Sequence, residues 1–306
     1  MLWVALMIAA ALAAGVEAER RRGARAGALA QRILVLLLYG PLPFVVFVNI
    51  ARLHITADLG AGIVLGWAAL VLAAAIGWFV GSRLLRLPRP SAGVLPIVAM
   101  QANTGLLGLP VAAAVLGFDQ FSEAVAYDSL VQQPVFLIGS FAVAAATGTR
   151  AGETVRERVR AFFVRNPPLA AVALGLVVPD ALVPDVLVDV SHVLVFVMAA
   201  LGFFAVGVTL AQEAEDGALR FPPPFTAPVG AAIVLRLAVA PLLLVALAAP
   251  LIALPDAFVL LAAMPAGLYI VTLAHAYGLD LRLAAGAIVW TTMVAVPVIL
   301  AAAMIS

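Results

Sequence analysis

Between residues 101 and 117 the chain reads QANTGLLGLPVAAAVLG. Gln101, Asn103 and Thr104 offer amide and hydroxyl groups that can donate to or accept from a solute. A second polar set, Asp128, Ser129, Gln132 and Gln133, lies in YDSLVQQP (127–134). Both sets interrupt apolar sequence. Pro110 cannot donate to a helical ladder and its ring clashes with the preceding turn, while Gly105 and Gly108 weaken the same helix. A third stretch, MPAGLYIVTLAHAYGLD (264–280), sets Pro265, Gly267 and Tyr269 in a similar context. The chemistry open to these residues is recognition by hydrogen bonds and freed backbone groups. No HExxH, no GxSxG and no paired intramembrane carboxylates occur, so an enzyme is not expected.

The elements that must position these residues follow from composition. Of 306 residues, 65% are hydrophobic and 11% charged, where a soluble domain is about a quarter charged. The apolar residues fall into ten blocks: 1–18, 31–51, 58–80, 93–117, 122–147, 167–183, 188–211, 228–250, 254–277 and 283–305. Each is near the ~20 residues that cross a bilayer as helix. The alternation of a β-barrel is missing. The expected fold class is therefore an all-α membrane protein with ten transmembrane helices. There is no cysteine, which excludes disulfides and Cys-held metals, and no lysine, which excludes a P-loop lysine and a Schiff base. No cofactor is expected, and no nucleic-acid partner. Arginine in place of lysine, with abundant alanine, points to a GC-rich bacterial genome and so to a bacterial cytoplasmic (inner) membrane.

Fifteen of the seventeen basic residues fall in alternate loops, the exceptions being Arg52 and Arg236. By the positive-inside rule those loops face the cytoplasm and both termini face outside. The longest such loop, 149–166, divides the chain into 1–148 and 167–306, with five spans on each side. An odd number of spans per half makes two similar halves inverted repeats. At an offset of 160 residues, Leu34, Val35, Phe44, Val46, Val48 and Ala51 recur as Leu194, Val195, Phe204, Val206, Val208 and Ala211. AMQANTGLLGLPVAAAVLGFD (99–119) and AMPAGLYIVTLAHAYGLD (263–280) also open and close alike. The helix breakers thus lie near the bilayer centre in corresponding spans, four and nine. Broken backbone is tolerated there only when buried in protein or lining a watery cavity. Two half-helix N-termini converging on one point carry free N–H groups and about half a positive charge each, which suits an anion such as a carboxylate. Asn103 or Thr104 is expected to cap the second half of span four, and Pro265 to begin the second half of span nine.

At NTGLLGLP (103–110), RNPP (165–168), LRLAVAPLL (235–243) and MPAGLYIVTLAHAYGLD (264–280) the sequence resembles the auxin efflux carrier family of membrane transporters. That family includes plant auxin exporters and bacterial dicarboxylate permeases. The resemblance covers nearly the whole chain. It implies a scaffold of spans 1, 2, 6 and 7, often dimeric, and a moving unit of spans 3–5 and 8–10. Substrate would bind at the crossover of spans 4 and 9. Asn103 and Pro110 match the span-four motif and Pro265 the span-nine proline. Where many relatives carry Asn four residues after that proline, this chain has Tyr269.

The expected function is a secondary-active or facilitative carrier of a small organic anion, a mono- or dicarboxylate, working by alternating access. Its candidate substrate residues are Asn103, Thr104, Gly105, Pro110, Gln132, Pro265 and Tyr269. Asp128 has two readings: a coupling carboxylate for protons or cations, or an interfacial acid near the end of its span. The rival transport reading is a sodium-coupled symporter of the bile-acid type. A channel would show flux without saturation, and a sensor would bind without moving its ligand. Arg236 is expected to snorkel to the interface or to pair with an acid. His275 reads as interfacial, Gly62 and Gly66 as a close-packing pair, and RERVRAFFV (156–164) as a cytoplasmic amphipathic segment.

Overall fold

The computed structural model describes residues 2–150, 167–215 and 223–305; the segment 156–164 lies outside them. In order the chain forms α1 (Leu2–Arg22), α2 (Ala24–Tyr39), α3 (Pro41–Ala51), α4 (Ala57–Leu84), α5 (Val94–Met100), α6 (Thr104–Val115) and α7 (Phe121–Thr147). Then follow α8 (Pro167–Val177), α9 (Asp185–Glu215), α10 (Ala227–Ala248), α11 (Asp256–Ala262), α12 (Tyr269–Tyr277) and α13 (Leu281–Ile305). No strand forms among the described residues; a single antiparallel bridge joins Ala102 to Ala266. Six stretches among them are long and apolar enough to cross a membrane: α2 with α3, α4, α7, Asp185–Thr209 of α9, α10, and Leu281–Ile299 of α13. The chain is a multi-pass, all-helical membrane protein. Val64, Trp67, Val71 and Phe79 of α4 point outwards, an apolar face of the kind that meets lipid or another protein.

Local chemistry sets the boundaries. Gly40 and Pro41 divide α2 from α3, because proline breaks the backbone ladder there. Thr56 caps α4 by accepting from the Leu59 amide at 3.1 Å. Gly278, at φ 67°, ends α12 in the left-handed conformation that glycine adopts without strain. α7 and α10 each contain wide i→i+5 turns, over Tyr127–Gln132 and Leu235–Val239, and α6 opens on one at Thr104–Gly108. Such turns redirect side chains and are common at functional sites.

The helices pack in two sets. α1, α2, α3, α8 and α9 lie against one another, and α4, α5, α7 and α10–α13 form the second set. Glycines allow the closest approaches. Gly207 of α9 rests on the Leu12 carbonyl of α1, and Gly175 of α8 on Ile50 of α3. The tight packing expected of Gly62 and Gly66 is present: a Cβ on Gly62 would lie 3.2 Å from the Phe258 ring, and one on Gly66 2.8 Å from Val131. Gly77 is the tightest contact between α4 and α5, since a Cβ there would lie 2.9 Å from the Pro96 nitrogen. Backbone cannot move aside as a side-chain tip can. Gly77→Ala should therefore destabilise the protein by about 1–3 kcal/mol. Gly60→Ala, on the same helix with nothing within 4 Å, should be neutral or slightly stabilising. Thermal unfolding of the two purified variants checks this.

Candidate functional site

The site is built where α5 and α11 stop. α5 ends at Met100 and helical geometry resumes at Thr104; α11 ends at Ala262 and resumes at Tyr269. The two interruptions lie antiparallel and hold each other. The Asn103 amide donates to the Pro265 carbonyl at 2.8 Å, and the Gly267 amide donates to the Gln101 carbonyl at 2.9 Å. Ala102 and Ala266, 3% and 0% exposed, face each other between these bonds. Side chains take up further groups. The Thr291 hydroxyl of α13 accepts from the Ala266 amide at 3.1 Å. Gln132 of α7 donates through Nε2 to the Met100 carbonyl at 2.9 Å and to Gln101 Oε1 at 3.1 Å. Arg236 of α10 donates to the Ala99 carbonyl at 2.7 Å and to the Ala262 carbonyl. A buried backbone group without a partner is rare because it is costly, so these side chains are what allow the interruptions to exist.

Beside this junction lies a cleft of about 80 Å³, large enough for several waters or part of a small solute. Asn103, Thr104, Gly105, Asp128, Gln132 and Tyr269 all line it, as do Gln101 and Gln133. Leu34, Leu37 and Met198, from the other helix set, close its far side. A more apolar chamber of about 100 Å³ shares Leu34, Leu106 and Tyr269 with it and continues towards Thr209 and Thr272. Thr104 donates its hydroxyl to Asp128 Oδ1 at 2.5 Å. That carboxylate also faces Gly105, where a Cβ would stand 3.6 Å from Oδ1. The first residues of α6 and α12 border the cleft.

Pro110 and Pro265 do not line the cleft. Pro110 is buried in the first turn of the regular part of α6, where its missing N–H is tolerated. Pro265 acts through its carbonyl and stands four residues before α12, so it does not begin that helix as expected. The capping expectation also fails. Asn103 occupies the position before α6 without a side-chain cap bond, and Thr104 spends its hydroxyl on Asp128. Asn103 is 8% exposed, and its side-chain amide makes no hydrogen bond among the described residues. Arg236 neither snorkels nor pairs with an acid: it is 0% exposed and bonded to carbonyls. His275 is exposed at the end of α12, with its carbonyl accepting from Arg150. The sequence reading missed Thr291 altogether. Its only trace is a pair of threonines, Thr291 and Thr292, inside an apolar helix.

A family model described as membrane transport protein matches residues 28–302. The chain belongs to this family. It is the auxin efflux carrier family that the sequence resembles, and the match runs from the second turn of α2 to the last turns of α13. No curated protein matches the chain. Membership of the membrane transport family makes the protein a membrane transporter and is consistent with a non-enzyme; it does not favour the bile-acid type of sodium symporter.

Replacing Gln132 should loosen the junction. Gln132→Leu removes both bonds of its amide and leaves the buried Met100 carbonyl unpaired, a loss of about 1–3 kcal/mol. Gln133→Leu, at a cleft residue that makes no side-chain hydrogen bond among the described residues, is the control. The midpoint of thermal unfolding should fall for the first variant and stay level for the second.

Proposed function

We propose that this protein is a secondary-active or facilitative transporter of a small organic anion, a mono- or dicarboxylate. The substrate would sit between the amino-terminal ends of α6 and α12. The observation that carries this reading is the unpaired side-chain amide of Asn103 beside those ends, in a cleft lined by Thr104, Gly105, Gln132 and Tyr269. Half-helix N-termini offer free N–H groups and partial positive charge, and Asn103 supplies a directed donor for a carboxylate oxygen. Pro110 and Pro265 act at one remove, by shaping the two interruptions.

In this reading α5 with α6 and α11 with α12 are the fourth and ninth of ten spans, broken and crossing, in a 5+5 inverted repeat. The halves are residues 1–148 and 167–306, joined by the cytoplasmic linker 149–166. The first packing set, α1–α3 with α8 and α9, is the scaffold, and the second together with α6 is the moving unit. Support comes from the cleft itself, which is lined by both sets. A site between two bodies is exposed alternately when one shifts against the other. Both termini would face outside in a bacterial cytoplasmic membrane, with scaffold helices available for a homodimer. Asp128, which accepts from Thr104 at the edge of the cleft, is the coupling residue we assign for protons.

Uptake by the reconstituted protein, with a panel of mono- and dicarboxylates, tests the reading. Saturable uptake is expected. Asn103→Ala should lower kcat/KM by roughly 10- to 100-fold, as for loss of a hydrogen bond to a charged group, with an unchanged unfolding midpoint. Asp128→Asn should abolish any stimulation by an inward proton gradient. Full saturable uptake by Asn103→Ala would remove that residue from the site, and uptake of no carboxylate would overturn the substrate class.

A further inference from the structure

Arg236 is the largest fully buried side chain among the described residues, and it has no role in lining the cleft. A guanidinium within the membrane needs strong compensation. None comes from an acid: the ion pairs among the described residues are Arg21–Glu17 and Arg52–Asp185. The compensation comes from two helix ends. The Ala99 carbonyl belongs to the last turn of α5 and the Ala262 carbonyl to the last turn of α11. Each helix C-terminus presents unsatisfied carbonyls and about half a negative charge. Three nearby carbonyls already have partners: Ile97 O accepts from the Gln101 amide, Leu261 O from the Met264 amide and Met100 O from Gln132. Arg236 thus joins, with one rigid fork, the two carbonyl ends that converge at the junction. In transporters with broken helices, such carbonyl ends and unwound carbonyls are where a free monovalent cation binds.

We propose that the Arg236 guanidinium is a built-in cation, held between the C-termini of α5 and α11 in the place a coupling sodium would take, so that the protein needs no sodium. It is a positioning residue: it balances the carbonyl ends of α5 and α11, while the first residues of α6 and α12 border the cleft. The consequence for coupling rests on the transporter reading above; the ion-binding test does not.

The test measures unfolding midpoints of the purified full chain in matched sodium chloride and choline chloride. Wild-type protein should unfold at the same temperature in both. Arg236→Ala should unfold lower, on the order of 10 °C, because it strands two buried carbonyls. Guanidinium at tens of millimolar, below denaturing levels, should restore part of that loss in a saturable manner and leave wild type unmoved. Arg236→Lys should retain more stability than the similarly sized, uncharged Arg236→Met. Saturable stabilisation of wild type by sodium over choline would overturn the proposal, as would a Met variant as stable as the Lys variant or an Ala variant indifferent to guanidinium. Should Ala not fold, the Lys–Met comparison and the wild-type measurement still decide. Failure of carboxylate uptake would leave these outcomes unaffected, so the two readings fail separately.

Discussion

A peptide group inside hydrocarbon has no water to turn to, and leaving it unpaired costs several kcal/mol. Helix Val94–Met100 and helix Asp256–Ala262 both end among fully buried residues, and both must hand over their backbone groups to something else. They hand them to each other. Asn103 to Pro265 and Gly267 to Gln101 are the bonds of a single antiparallel bridge among described residues that form no strand. The rest of the site follows from that arrangement. Thr291, Gln132 and Arg236 take up groups the pair leaves over, and Asn103 is left with its side chain free at the cleft.

Polarity is the second consequence. The Ala99 and Ala262 carbonyls, in the last turns of their helices, converge. Arg236 joins them. The first residues of α6 and α12 border the cleft, where Asp128 is engaged by Thr104 and the Asn103 side chain is not engaged. The apolar chamber running towards Thr209 and Thr272 gives the cleft a path of low polarity, and its walls come from both packing sets.

Much of this was legible in the sequence, but unevenly. Hydropathy and the absence of alternation gave the membrane and the helix, because a bilayer imposes both on the backbone. The motif around Asn103 gave the family. The glycines and prolines announced interruptions without locating them. The first falls at Gln101–Asn103, ahead of Gly105, Gly108 and Pro110, because the chain leaves the helix where a partner backbone can replace the ladder. Pro110 then sits where a proline does no harm. Arg236 was misread for a similar reason. Its acceptors are carbonyls 137 and 26 residues away, and a carbonyl carries no sequence signature. Side-chain types reveal cost and period; they do not reveal which backbone atoms a fold will bring to them.

The antiparallel contact can be tested directly, because the chain has no cysteine of its own. Ala102 and Ala266 form the pair that lies between the two backbone bonds without exchanging any itself, a geometry that brings α-carbons to about 4.5 Å and suits a disulfide. In the double variant Ala102→Cys, Ala266→Cys, mild oxidation of the membrane-embedded protein followed by alkylation under denaturing conditions and mass spectrometry should find the two residues joined within one chain. Recovery of both as alkylated free thiols would contradict the account, since two helices passing each other intact would keep those positions apart.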